Sequence, residues 1–347
     1  ESLGESYEFK IDKDIYKDAL KDAVKFFYYQ RCGENLSGEE AGILAHPECH
    51  KSLARIYGTD EYIDVSGGWH DAGDYGRYVV ATSRTLADLL QAYSSNKDAF
   101  TDDTGIPESN NGTADILDEC KREFDWLFKM QNKENGGVYH KVTCANFPGY
   151  VMPQEETDEL IVTPISTTAT GDFAAIMAMG YDTFKDADPE FANKCLEAAK
   201  SAYDYLDAAP SQGVSNPAGI VTGEYGDSSD IDERYWAAAQ LFKATGDSKY
   251  DEKFKELAET KIEMGYDWQS IGGFGNDAYL STRGGDEELK AKIKEAIVKE
   301  ADRIVDASKS DGYGVSNGKN YYWGSNMGIL NEASLLDFAN TISANED

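Results

Sequence analysis

The chain has 347 residues, of which 64 are acidic and 33 basic, for a net charge of -31. That length supplies a large core in one or two domains. The charge excludes a nucleic-acid or anionic-membrane binder, because phosphate recognition needs a basic footprint, and no stretch reaches the apolar length that crosses a bilayer.

Residues 1–14 read as a tail or linker. An amphipathic helix follows, with Tyr16, Leu20, Ala23, Val24 and Phe27 on one face. Residues 31–70 form a long irregular segment holding Cys32, His46, Cys49, His50 and His70, and a loop of that length inside a domain is functional or pinned by something. Val79, Thr82, Leu86, Leu89, Leu90 and Tyr93 restore helical spacing, which places a helix from Asp74 onward. The next helix carries Leu117, Cys120, Phe124, Leu127 and Phe128; residues 136–143 read as a short strand or extended loop, and 144–164 as a loop. Helical patterns return at Ala169/Phe173/Ile176, Phe191/Cys195/Ala198, Tyr235/Ala238/Phe242 and Tyr250/Phe254/Leu257, weakly at 275–283, then at Leu289/Ile293/Ile297/Ile304 and Trp323/Met327/Leu330/Leu336. About ten helices and almost no alternating runs predict an all-α chain. Long Gly/Asp/Asn loops between hairpins suit a site assembled at one end; a plain bundle fits the same pattern.

The segment Gly67-Gly68-Trp69-His70-Asp71-Ala72-Gly73-Asp74-Tyr75-Gly76-Arg77-Tyr78 sets two carboxylates three residues apart on a turn of small residues. Before a helix N-terminus the partial positive charge favours ionised carboxylates, and an ionised carboxylate in a cleft is what a general base requires. Helix capping is the plainer reading of an Asp pair. The flanking Gly-Gly-Trp, aromatic and Arg shift the weight toward a site.

Trp69-His-Asp-Ala-Gly-Asp-Tyr-Gly-Arg-Tyr-Val80 resembles the base-bearing motif of glycoside hydrolase family nine, mostly cellulases. Ile106-Pro-Glu-Ser109, Asp115-Ile-Leu-Asp-Glu119, Gly136-Gly-Val-Tyr-His-Lys-Val-Thr143, Ser166-Thr-Thr-Ala-Thr170, Asp232-Glu233 with Trp236-Ala-Ala-Ala239, and Tyr322-Trp-Gly-Ser-Asn326 extend the likeness across roughly residues 15–340. They are similar to the branch that often carries an immunoglobulin-like domain, which implies further modules in the parent protein. The resemblance implies an (α/α)6 barrel, here one hairpin short, over residues 15–347. It implies inverting hydrolysis of β-1,4-glucans with Asp74 as base, Asp71 assisting, and His140, Tyr322 and Trp323 near the sugar. Without it, His140 reads as a satisfied structural histidine, and Trp126 and Trp323 as core. The family's general acid is a Glu in a closing C-terminal segment that has no counterpart before Asp347, so the domain is expected to be C-terminally truncated, with weak or no hydrolysis. Glu332 reads as surface or structural. Residue 1 lies in polar sequence, as in a mature chain, and a secreted enzyme is expected. The rivals are an inactive glucan-binding relative and another α/α-barrel enzyme such as a sugar epimerase; an epimerase would use His bases, and only four His are present.

Cys32, Cys49, His50 and His70 have the chemistry of a tetrahedral zinc site. A Cys32–Cys49 disulfide fits the residues equally until the family is considered, and in this branch a structural zinc occupies matching positions. Ser228-Ser229-Asp230-Ile231-Asp232-Glu233 offers hard oxygens before a helix, which suit calcium or simple capping; the resemblance implies a structural calcium at Ser228, Asp232 and Glu233. Cys120 and Cys195 read as buried thiols.

Overall fold

The computed structural model describes residues 8–343. Residues 1–7 of the expected tail and residues 344–347 lie outside the described residues. Ten α-helices are found among the described residues: α1 Lys17–Gln30, α2 Val79–Ser95, α3 Asp115–Met130, α4 Thr167–Phe184, α5 Pro189–Ala208, α6 Ile231–Thr245, α7 Ser248–Thr260, α8 Gly273–Ser281, α9 Glu287–Lys309 and α10 Ser325–Ser343.

The helices sort into two layers by composition. α4 is apolar or small on nearly every side, and α4 and α6 are both buried along most of their length, as expected of helices surrounded by others. With α2 and α8 they pack side by side as an inner layer, α2 on α4, α4 on α6 and α6 on α8. Helices α3, α5, α7 and α9 flank that layer, each beside the inner helix that precedes it in sequence. Their apolar positions keep to one stripe, such as Tyr250, Phe254 and Ala258 on α7. Close approach of α4 to α6 depends on Gly171, where a Cβ would lie 2.7 Å from the Glu233 Cβ. The last helix, α10, packs on α9 and reaches α2 through the Arg84 guanidinium, whose Nη2 donates to Asn331 Oδ1 at 2.7 Å.

A small sheet lies beside the helices. Strands β1 Ala54–Ile56, β2 Tyr62–Ile63, β3 Arg77–Tyr78, β5 Lys141–Thr143 and β6 Ile161–Val162 run in the order β2-β1-β6-β5-β3; β4 Val138–Tyr139 and β7 Ile165–Ser166 form a separate pair. β3 pairs antiparallel to β5, with Arg77 opposite Val142 and Tyr78 opposite Lys141. This pairing corrects one expectation. Residues 74–78 are a turn and a strand, and α2 starts at Val79, because Arg77 and Tyr78 give their backbone to β5 before the helix begins. Trp323 likewise precedes α10 rather than lying in it.

Candidate active site

The turn bearing the two aspartates is held shut by its own backbone. The Asp71 amide donates to the Gly76 carbonyl (3.0 Å) and the Tyr75 amide to the Ala72 carbonyl (3.0 Å). Upstream, Gly68 has φ +80°, and a Cβ there would meet the Trp126 ring at 2.7 Å. Only glycine lets this backbone lie flat on Trp126, which is itself a core residue. Arg77 Nη1 donates to the Val65 and Gly67 carbonyls, at 3.1 Å each, and fixes the approach to the turn.

Asp74 points inward and is 2 % exposed. Its Oδ2 accepts from the Tyr78 hydroxyl and the Gly223 amide (3.3 Å), and its Oδ1 from the Gly76 amide (3.2 Å). These donors replace the helix dipole as the source of compensation for its charge, since α2 begins five positions later and the dipole acts only within the first turn. Oδ1 keeps one lone pair for a water. Asp71 is exposed. Both of its oxygens accept from the Tyr225 hydroxyl (2.9 and 3.0 Å). Enclosure by the surrounding walls pushes its carboxyl up to about 6, with the Tyr225 hydrogen bond opposing and the Asp74 charge adding to the rise. Tyr225 lies against Tyr78 (4.6 Å between ring centres) and edge-on to Trp268 (4.9 Å), so one side of the carboxylate pair is an aromatic wall.

Gly223 and Tyr225 belong to the strap between α5 and α6, which nothing in the turn's own sequence announces. Lys141 also belongs to the site. It is fully buried and donates to Asn216 Oδ1 (2.6 Å) and the Gly223 carbonyl. Its neighbour His140 is buried too, with Nδ1 2.9 Å from Ser166 Oγ and Nε2 3.3 Å from the Glu224 carbonyl. Burial lowers the His140 imidazole to about 4, so it is neutral at ordinary pH. Tyr322 and Trp323 are exposed, Trp323 at 96 %. Tyr322 lines a hollow with Arg303, Asn320 and Glu332 rather than the wall formed by Tyr225 and Trp268. Glu332 accepts from Arg303 (3.1 Å) and Ser316, a surface role.

The Cys/His set converges. The donor atoms of Cys32, Cys49, His50 and His70 all lie within 4.8 Å of one another, and all four residues are buried. The five cysteines are free thiols, so Cys32 and Cys49 are not bridged. His50 Nε2 lies 3.0 Å from the buried Glu156 Oε2, which leaves Nδ1 facing His70 Nε2 at 3.3 Å. Two thiols and two imidazoles at this spacing fit a tetrahedral metal, and an outer carboxylate on a ligating histidine is its usual companion. A hollow of about 320 Å³ beside Cys49, His50 and Glu156 gives a route of entry. The cluster ties the end of α1 to the turn, reinforced by the Cys32 amide on the Gly68 carbonyl and the His70 amide on the Gln30 carbonyl, both 2.7 Å.

The acidic segment before α6 divides. Asp230 pairs with Arg234 (3.1 Å) and accepts from Ser211, Ser229 Oγ accepts the Ile231 amide (3.3 Å), and Ser228 is exposed. Asp232 Oδ2 accepts the Ile271 amide (2.7 Å). Glu233 has no partner for either oxygen; nor has Asp172 of α4, and Asp227 lacks one for Oδ2. Burial pushes Asp172 and Glu233 well above the usual carboxylate range, with the charges of Asp232 and Asp227 adding to the rise at Asp172 and those of Asp172 and Asp232 at Glu233. Buried carboxylate oxygens without donors are what a hard cation would satisfy. Sequence reasoning missed Asp172, which is hidden in an apolar helix.

The Glycosyl hydrolase family 9 model matches residues 16–347, and the chain belongs to that family. It is similar to Endoglucanase D of Acetivibrio thermocellus, 39 % identical over 356 residues, with 99 % of this chain and 57 % of that protein covered. Its fold is similar to a thermostable endoglucanase from Alicyclobacillus acidocaldarius (TM-score 0.90, 34 % identity, 96 % of this chain and 64 % of that one). A Zn-binding triple mutant of the family 9 endoglucanase J30 gives TM-score 0.92 at 31 % identity, over 98 % of this chain and 66 % of that one. The chain thus spans less than two thirds of the length of these relatives, whose structures have the (α/α)6 barrel.

Proposed function

We propose that this chain supplies the general base of an inverting hydrolase of internal β-1,4-glucosidic bonds in cellulose or a related β-glucan. In that reaction a carboxylate activates water on the face of the sugar opposite the leaving group, roughly 6.5–9.5 Å from the acid. The observation that carries the reading is Asp74 itself: a buried carboxylate held by the Tyr78 hydroxyl and two backbone amides, with one oxygen still able to accept a water. Asp71 holds the same water from the open side, and the Tyr225/Trp268 wall offers a sugar ring an apolar face. His140, Tyr322 and Trp323 are proposed as sugar contacts on the resemblance alone.

The test uses an aryl β-cellobioside whose phenolate leaves without a proton donor, which isolates base catalysis from acid catalysis. Asp74→Asn should lower kcat by about 10²–10⁴-fold with little change in KM. Unchanged hydrolysis would remove Asp74 as base. The openness of Asp71 and its carboxyl near 6 favour a second reading, in which Asp71 takes the proton and Asp74 orients it. Asp71→Asn would then cost as much as, or more than, Asp74→Asn.

We propose zinc at Cys32, Cys49, His50 and His70, and calcium at Asp232 and Glu233, with Asp172 and Asp227 joining and Ser228 reaching in from the surface. Both are structural in this reading. Bound zinc would pin the 31–70 loop and, through His70, the catalytic turn; calcium would neutralise the buried acids. No helix among the described residues is long and apolar enough to cross a membrane. Secretion and further modules in a longer protein are inferred from the family resemblance.

A further inference from the structure

Lys141 is a fully buried lysine beside the carboxylate pair, on β5 opposite Tyr78. It has no carboxylate within ion-pair distance among the described residues. Its Nζ donates instead to Asn216 Oδ1 and the Gly223 carbonyl, and stands 5.3 Å from the centre of the Tyr78 ring. Asn216 is fixed in turn by donating to the Thr222 carbonyl at 2.8 Å. Each of these partners leads to Asp74. Gly223 presents its carbonyl to Lys141 and its amide to Asp74 Oδ2. Tyr78 presents its ring to Lys141 and its hydroxyl to the same oxygen. Gly223 must be glycine for this, since a Cβ would lie 2.8 Å from the Tyr78 hydroxyl.

We propose that Lys141 is a positioning residue for Asp74: through the Gly223 carbonyl it seats the strap amide on the carboxylate, and it sets its ammonium beside the Tyr78 ring whose hydroxyl holds the same oxygen. The proposal rests on reading Asp74 as the base. The charged and titratable groups around Asp74 are Asp71 on its own turn, Tyr78 on β3, Lys141 on β5, and Glu224 and Tyr225 on the strap. Lys141 is the cation in that set. Its amine is itself pushed down to about 8 by burial, with Asp74 and Glu224 opposing the fall, so its charge is present where a carboxylate base works.

The test replaces the charge and reads Asp74 directly. In protein with ¹³C-labelled Asp carboxyls, the Asp74 resonance is assigned by its loss in Asp74→Asn and titrated in wild type and Lys141→Met. The Asp74 midpoint should rise by about one pH unit or more in Lys141→Met. The acid limb of kcat/KM for the aryl cellobioside should move up with it, while KM changes less than about threefold. If methionine disturbs folding by circular dichroism, Lys141→Gln keeps a donor for the strap and should give the same direction of shift. An unmoved Asp74 midpoint in the folded variant overturns the proposal. Unchanged hydrolysis in Asp74→Asn would instead overturn the base assignment, and the carboxyl titration would still decide whether Lys141 controls Asp74.

Discussion

Removing the charge of Glu233 separates two accounts of the acidic segment before α6. Glu233 and Asp172 are buried with no hydrogen-bond partner for any of their four carboxylate oxygens, and burial, with the charge of neighbouring carboxylates, raises the proton affinity of both. Without a cation, burial holds the Glu233 carboxyl well above its unfolded range, so folding at neutral pH works against its ionisation. That mismatch costs up to about 3 kcal/mol of stability. Glu233→Gln is close in shape to the protonated acid, so it should stabilise the calcium-free protein by up to that amount. For a chain of this length the gain corresponds to about 4 °C in Tm. Calcium at about a hundredfold excess over Kd should stabilise the wild type by about 2.7 kcal/mol, again about 4 °C, and should leave Glu233→Gln unmoved. The assay is calorimetry of protein stripped of metal, resupplied with zinc, then titrated with calcium. A wild type indifferent to calcium, or a variant that still responds, would refute the argument. Capping by Ser229 and pairing of Asp230 with Arg234 would then be the segment's whole role.

Other outcomes follow from the same geometry. Glu123 on α3 accepts from Thr82 (3.0 Å) and is pushed by burial from 4.5 to about 8. It therefore keeps its proton folded and loses it unfolded between those values, so stability falls as pH rises, by about 1.4 kcal/mol per unit; urea denaturation between pH 5.5 and 7 should show a slope shallower by that amount in Glu123→Gln, and an unchanged slope would mean that Glu123 is ionised in the fold. Dialysed protein should carry about one equivalent of zinc by elemental analysis, as one tetrahedral site requires. Cys49→Ser should lose it and fall by roughly 4 °C or more in Tm, whereas zinc-free protein with Cys32 and Cys49 oxidised together would favour the disulfide.

The helices were legible because most of them repeat an apolar spacing over about three turns or more; α8, of only nine residues, left a weaker trace. Of the five-stranded sheet only β5 was legible, within the stretch 136–143, since strands of two or three residues are shorter than the alternation that identifies a strand. That omission had a consequence at the site: β3 delays α2, and the helix dipole gives way to the Tyr78 hydroxyl and the amides as the partners of Asp74. Asp71, Asp74 and the Cys/His set could be read because unusual residues crowd one stretch or chelate by chemistry. Gly223, Tyr225, Lys141 and Asp172 could not, because their meaning lies in contacts with residues distant in sequence, Gly223 and Asp74 being 149 positions apart.

The carboxylate pair is held from two sides by segments outside the helices. The turn is irregular backbone backed by His70 and the 31–70 loop. The strap is irregular backbone that ends at Asp227, whose amide and carbonyl pair with Val214 and whose Oδ2 lacks a partner. A cation at either end would replace the core packing that loops lack. The two would act differently on chemistry: loss of the Cys/His metal would free the turn and carry Asp71 and Asp74 together, whereas loss of a cation near Asp227 and Glu233 would free the strap. Freeing the strap withdraws the Gly223 amide from Asp74 and the Tyr225 hydroxyl from Asp71 while the turn stays in place. Calcium-free protein should therefore keep its zinc by elemental analysis, and its defect should lie in the hydrogen bonds that the strap gives the two aspartates rather than in their placement.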